Sequence, residues 1–448
     1  MASKMKLLIL AKCYFIIFSL RHAEAIDDEN KISSSPSGIE DEQYLPIAVN
    51  EFGYQFTVKM MEQNTDDNVV ISPTSVAGLL AMTLLGSVGN TYQELATTLG
   101  FSQDIFTNRR NHEQFGNLLQ NLNSHVETSK TLYADAIFVD AQTQLRDVFR
   151  DYLDQVYRGE ALSVDFRQKE EVKQMINEWV KSHTQGKIEN FLKQTLPETT
   201  KAVLLSALYF SGQWEHPFIA DYTMKMPFKK RNNTMLVDLM LNLGDFNYIS
   251  SEKEGVHMIA LPYNDSETTL YALKPRIPKK QHLLEVLQRL DYKKINDLIK
   301  QMMPKKAVIR FPKMDLQHSL KLEETLKDMG IKSMFSPIDA NFALMVNSNT
   351  INKTEDELIS KKNSDQINET GFVEMLNNLP NPGVYVDSII HDVKLTINEY
   401  GTEAVAATSG ILARSAEQFY ADSPFYMFIR NEKTKLVTFS AAIFDPTK

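Results

Sequence analysis

Arg414 and Ser415 are residues whose types could matter chemically, because they sit in a segment that a protease could engage. A long basic side chain followed by a small one lies in NEYGTEAVAATSGILARSAEQFYADSP, residues 398–424, which contains no proline before Pro424. A connector this long is uncommon in a compact domain unless it is functional or disordered. Written as a strand, it sends alternate side chains to opposite faces. One face carries Thr402, Ala404, Ala406, Thr408, Gly410 and Leu412, without charge and with little bulk. The other carries Glu403, Val405, Ala407, Ser409, Ile411 and Ala413, which tolerate water. The stretch therefore has the pattern of a strand that could enter a sheet. On these residues alone, an alanine-rich helix or a solvated connector is the plainer alternative. An arginine at a site of cleavage would complement the acidic specificity pocket of a trypsin-like protease.

The chain carries no sign of catalysis of its own. There is no G-x-S-x-G elbow, H-E-x-x-H helix or glycine-rich phosphate loop. Ser250-Ser251-Glu252-Lys253 matches S-x-x-K by letters without its companion motifs. The nine histidines are scattered without ligand spacing, so neither a metal nor a cofactor is expected. Formal net charge is −9, which argues against nucleic acid or an anionic membrane as partner. The basic clusters Lys229-Lys230-Arg231, Lys279-Lys280 and Lys305-Lys306 are too short to make a stripe.

The N-terminus reads as an export signal over residues 1–25. Lys4 and Lys6 precede an apolar run to Leu20, broken by Lys12, and Ala23-Glu24-Ala25 offers the cleavage site. The single cysteine, Cys13, falls inside it, so the mature chain has neither disulfides nor thiol chemistry. No other stretch is long and apolar enough to cross a bilayer. Export makes the sequons at Asn232, Asn264, Asn352 and Asn368 candidate glycosylation sites. Residues 26–44 read as a mobile polar tail, and 45–448 as one α+β domain with helices early and strands late.

The elements that must position the loop follow in order. A helix is expected from about Leu45, then a short strand, then a buried helix after Pro73 that Ser75 could cap. Further helices are expected over residues 115–126 and 176–185, the second stopped by Gly186. Residues 134–140 form a strand, and 201–218 an apolar strand buried on both faces. Residues 384–397, 425–430 and 436–444 are strand-like. Residues 347–382 read as a polar surface insertion containing one short amphipathic segment, GFVEMLNNL.

The sequence resembles the serpins. The resemblance is carried by N-E-x-G-T-E-A at 398–404, N-x-x-x-S-P at 68–73, N-x-W-V-x-x-x-T-x-G-K-I at 177–188, A-x-Y-F-x-G-x-W at 207–214 and the FPK of 311–313. It implies a serpin fold, with helices around a large mixed sheet, and a loop over 399–423 acting as bait. A protease acylated at the scissile bond would be trapped as the freed hinge (Glu399, Gly401, Thr402, Glu403, Ala404, Ala406 and Thr408) inserts into the sheet. Ser72, Ser75, Ser206, Trp214 and His391 fall by resemblance in the region that opens, and Lys313 pairs there with Glu399. Serine at 206 departs from the family's frequent asparagine. Further departures are Ser423-Pro424 for His-Pro and Ser440-Ala441-Ala442 for a glycine and a basic residue. Family spacing puts the cut at Ser415, implying an elastase-like target, or one residue earlier at Arg414↓Ser415, the preferred reading. The expectation is a secreted monomeric inhibitor of a trypsin-like serine protease and not an enzyme. The alternative is a non-inhibitory carrier or chaperone of the same fold.

Overall fold

The computed structural model describes residues 38–122, 129–347, 374, 376, 379–400 and 416–448. In chain order it begins with α1 (Gly38–Gln63), β1 (Val69–Ile71), α2 (Pro73–Leu85), α3 (Gly89–Leu99), α4 (Ile105–Gln120), β2 (Ser129–Asp140), α5 (Asp147–Tyr157), β3 (Glu160–Val164) and α6 (Lys169–His183). There follow β4 (Ala202–Gly212), β5 (Ile219–Lys229), β6 (Thr234–Ser251), β7 (Val256–Pro262), β8 (Thr268–Pro275), α7 (Leu283–Arg289), α8 (Tyr292–Gln301), β9 (Met303–Pro312) and β10 (Met314–Lys321). The chain closes with α9 (Glu323–Asp328), β11 (Ser388–Ile397), β12 (Glu417–Tyr420), β13 (Phe425–Asn431) and β14 (Val437–Ile443).

Two sheets organise these elements. One has five strands in the order β10-β11-β4-β2-β3; the other runs β1-β14-β13-β8-β7-β6-β9-β12, with β5 paired to β6. Every residue of β4 is buried, which explains its nearly unbroken apolar run. Its even-numbered Leu208 and Phe210 join Val393 and Leu395 of β11 in the core between the sheets. Its odd-numbered Val203, Leu205 and Ala207 pack beneath Val172, Ile176 and Val180 of α6. The five-stranded sheet is thus a middle layer that solvent does not reach at its centre.

Several boundaries differ from expectation. α1 begins at Gly38, inside the stretch expected to be a mobile tail; the acidic run Glu40-Asp41-Glu42 suits a helix N-terminus. α4 starts at Ile105, well before residue 115. Polar residues serve on its inner face: Asn108 and His112 are buried, and His112 Nδ1 lies 2.6 Å from the Tyr157 hydroxyl. α2 is capped by Ser72 rather than Ser75, the Ser72 hydroxyl accepting from the Ser75 N–H at 3.2 Å. β11 begins at Ser388, four residues after Val384; Val384 and Val386 are buried without joining the ladder. Within the insertion, Leu376 packs on Val88 and Ala343, and Asn341 Nδ2 donates to the Leu379 carbonyl. The rest of residues 348–378 lies outside the described residues.

Candidate functional site

The five-stranded sheet has an unusual centre. β4 and β11 are neighbours in parallel, paired from Val203↔Ser388 to Phe210↔Leu395. Parallel neighbours require a long crossover, and here it is the chain between 213 and 387. The chain leaving β11 runs directly into the segment 401–415. A strand turning back from that end would lie antiparallel to both β4 and β11. The seam between them is therefore a slot of the right polarity for the segment that follows.

One row of side chains crosses the seam. Asp135 on β2 pairs with Ser206 on β4, which pairs with His391 on β11, so all three point to the same face. His391 Nε2 accepts from the backbone N–H of Ser72 at 2.9 Å. That N–H can only donate, so the proton of the neutral imidazole is on Nδ1, which donates to Ser206 Oγ at 3.0 Å. Burial pushes the His391 pKa down to about 3, which keeps the ring neutral. The row brings together Ser72, Ser206 and His391 as the resemblance implies. Ser75 is adjacent and buried, but its hydroxyl has no hydrogen-bond partner among the described residues.

The open end of the seam is held by charge and aromatic packing. Glu399 is 5 % exposed and accepts from Lys313 Nζ at 2.9 Å and from the Thr223 hydroxyl at 2.8 Å. Its carbonyl accepts from Phe218 N–H at 2.7 Å. Burial alone would raise the Glu399 carboxyl; the hydrogen bonds from Lys313, its own N–H and Thr223 outweigh it and hold the pKa below 4.5. Trp214 stacks on Tyr263 with ring centroids 4.3 Å apart and donates from Nε1 to the Asn398 carbonyl at 2.9 Å. The far root of the segment is β12, parallel to β9. Beyond it, Asp422 binds Lys229 Nζ at 2.8 Å and Lys274 Nζ at 3.4 Å, and Lys274 also donates to the Tyr420 carbonyl.

Because Glu399 is buried while Lys313 is half-exposed, the pair is worth more than a surface ion pair. Lys313→Ala is expected to cost roughly 1–3 kcal/mol in denaturant unfolding of the uncleaved protein, the penalty for stranding a buried acceptor. A loss under about 0.5 kcal/mol would place the pair among ordinary surface bridges. The sign with pH follows from the lowered carboxyl pKa. This contribution is complete above 4.5 and disappears as pH falls through the depressed folded value, so the variant should be the less acid-sensitive protein.

A family model described as Serpin (serine protease inhibitor) matches residues 47–446. The chain belongs to the serpin family. The leukocyte elastase inhibitor of Xenopus tropicalis is 31% identical over 409 residues, covering 88% of this serpin and 97% of the relative. Serine protease inhibitor 28Dc of Drosophila melanogaster is 29% identical over 412 residues, covering 84% and 75%. Plasminogen activator inhibitor 1 of Sus scrofa is 28% identical over 403 residues, covering 88% and 91%. Among solved structures, human thyroxine-binding globulin with thyroxine superposes with a TM-score of 0.76 at 20% identity, over 90% of this chain and 99% of that one. Native protease nexin-1 with heparin gives 0.75 at 24%, over 90% and 100%. These likenesses establish the fold. The family description and the names of the curated relatives support protease inhibition in general as the activity associated with this family.

Of the residues expected at the site, Ser72, Ser75, Ser206, Trp214, Lys313, His391 and Glu399 converge on the seam and its open end. Gly401, Thr402, Glu403, Ala404, Ala406, Thr408, Arg414 and Ser415 lie outside the described residues, as do Asn352 and Asn368. Asn232 and Asn264 are exposed. The terminal departures occupy packing positions: Ser423 is buried, and Ser440 Oγ lies 3.1 Å from Thr57 Oγ1 and 3.0 Å from the Tyr426 hydroxyl. Sequence reading missed Asp135, Thr223 and the Lys229–Asp422–Lys274 anchor. Asp135 alone left a signal, a charge between two alanines. Among the described residues no acid or histidine cluster could hold a metal, and no helix is long and apolar enough to cross a membrane.

Proposed function

We propose that this serpin is a secreted suicide inhibitor of a trypsin-like serine protease. Cleavage at Arg414–Ser415 leaves an acyl-enzyme and frees the segment behind β11 to enter the β4–β11 seam. The observation that carries this reading is the closed parallel seam followed in sequence by a stretch of alternating pattern, one face of which is uncharged and small-sided. The added backbone groups would find ladder partners alternately on β4 and β11, and such pairing is favourable once the loop's far tether is cut. Inhibitory names among the curated relatives support the class of activity. Glycosylation at the exposed Asn232 and Asn264, and a monomeric state, belong to the same proposal.

The test is incubation of the full chain with trypsin. An SDS-resistant complex is expected, with a released peptide whose N-terminus is Ser415. A new N-terminus one residue later, obtained with an elastase-like enzyme, would move the scissile bond to Ser415. Cleavage with no complex would overturn inhibition and leave the carrier reading of the same fold.

A further inference from the structure

α6 is the layer over β2 and β4, and its last turn is fastened to β3 by three side chains. Val172, Ile176 and Val180 bury its apolar stripe against Ala134, Ala136 and Phe138 of β2 and Val203, Leu205 and Ala207 of β4. Beside that stripe, Trp179 packs edge-on against Phe138 with ring centroids 5.9 Å apart, and its indole Nε1 donates to Glu160 Oε2 at 3.1 Å. His183, one turn further on, lies over the indole with centroids 4.2 Å apart and an interplanar angle of 31°. Both ring nitrogens of His183 meet oxygens. Nδ1 is 2.8 Å from the Trp179 carbonyl, and Nε2 is 3.2 Å from Glu160 Oε1.

A backbone carbonyl can only accept, so Nδ1 carries a proton. Ser182 Oγ, 3.2 Å from Nδ1, already commits its own proton to the same carbonyl at 2.8 Å and can only accept from the ring. An ionised carboxylate is likewise a pure acceptor, so Nε2 carries a proton as well. A neutral imidazole has one proton to offer and would turn a lone pair toward one of these oxygens; the imidazolium satisfies both. The positive ring also lies over an indole face and in the last turn of a helix, two settings that favour a cation. We propose that Glu160, Trp179 and His183 form a proton-dependent clasp that holds the C-terminal turn of α6 to β3, engaged while His183 carries both ring protons and released when it loses one. The clasp controls how firmly α6 covers the five-stranded sheet, whichever bond of the chain a protease cuts.

The other charges around the ring are engaged elsewhere or turned away. Lys130 of β2 donates to Gln185, just past the helix, and Lys181 on α6 pairs with Glu189 at 3.1 Å. Glu178 accepts from Gln174 at 2.8 Å. Arg158 is exposed at the turn into β3. Asp135 alternates with Ala134 and Ala136 and so lies on the face of β2 away from α6. Asp392 of β11 is three strands from β3. Lys130 and Lys181 oppose a second ring proton, and Glu160, the carboxylate that touches the ring, favours it. Because the closed clasp holds the extra proton, acid engages it and rising pH releases it. The side chains of His183 and Glu160 are 38 % and 43 % exposed, which keeps the effect to a few-fold.

The experiment follows hydrogen exchange of the backbone amides of residues 176–184 in the full uncleaved chain, at pH 5.5 and 8.5, in the wild type, His183→Gln and Glu160→Gln. These values bracket the roughly 6.5 at which an imidazole in ordinary surroundings titrates. Glutamine at 160 keeps an acceptor for the Trp179 indole and removes the charge. Taking the ratio of variant to wild-type exchange cancels the intrinsic effect of pH on exchange. The ratio is expected to be about two- to fivefold at pH 5.5 and close to one at pH 8.5 for both variants. Trp179 emission gives a second readout. The chain has two tryptophans, so subtracting the spectrum of Trp179→Phe removes the Trp214 signal. The remaining emission should change with pH in the wild type and stay constant in His183→Gln. Equal exchange ratios at the two pH values overturn the clasp, because a merely structural contact would act alike at both. Wild-type Trp179 emission that ignores pH overturns it as well. Should His183→Gln fail to fold, the ratio for Glu160→Gln decides by the same criterion.

Discussion

If the freed segment inserts as proposed, replacing Ala406 by glutamate is expected to turn the protein from a trap into a substrate. Ala406 lies on the face of the 401–415 segment that would turn inward on insertion, between the neighbouring inward positions Ala404 and Thr408. A carboxylate there would meet the interior of a sheet whose central strand is buried throughout. An unpaired buried charge adds several kcal/mol; even about 3 kcal/mol on the insertion barrier slows that step roughly a hundredfold. Deacylation does not slow with it, so the protease escapes. Trypsin should still cut the variant, while the yield of SDS-resistant complex collapses and the number of inhibitor molecules consumed per protease rises steeply. Ala407→Glu is the control. Its side chain falls on the opposite face, and inhibition should change by less than about threefold. Equal effects at 406 and 407 would contradict a strand-like insertion.

The second large effect is expected at His391. Its replacement by alanine removes the acceptor for Ser72 N–H and the donor to Ser206 Oγ, both at the centre of the seam. Two stranded buried polar groups and a cavity amount to about 2–4 kcal/mol. The loss weakens β4–β11 pairing where the two sheets and β1 meet, so uncleaved protein should unfold at lower denaturant and lose inhibitory capacity on standing. An opened seam also presents two unpaired strand edges, which invite a strand from another copy. Native electrophoresis after warming should show higher-order species in His391→Ala and far fewer in the wild type. A variant as stable and as long-lived as the wild type would show that the seam is held elsewhere.

Much of this arrangement was legible beforehand because it follows from burial. The apolar run of β4 could only be a strand covered on both faces, and every residue of it is buried; the alternating segment 401–413 lies outside the described residues. The pairing of Lys313 with Glu399 and of His391 with Ser206 followed from resemblance, since residues 86 and 185 positions apart carry no local signal of contact. Where reading failed, polar residues were doing what apolar ones usually do. The start of α4 was hidden because Asn108 and His112 form its inner face. Ser75 was taken as the cap because it fits the expected residue type, yet the chain turns into α2 at Ser72. Asp135 was given no reading at all, and its cross-strand register with Ser206, which in turn pairs with His391, is visible only in the fold. The anchor at Asp422 joins lysines on β5 and β8 that no spacing rule connects.

The central claim is that the uncleaved fold is not its lowest-energy arrangement, and one thermal measurement tests it. Nick the purified chain at Arg414 with a catalytic amount of trypsin, remove the protease and compare unfolding midpoints before and after. Entry of the freed segment between β4 and β11 predicts a rise of more than about 10 °C, which for a chain of this length corresponds to several kcal/mol. An unchanged or lowered midpoint, with cleavage at Arg414–Ser415 verified, would contradict the account.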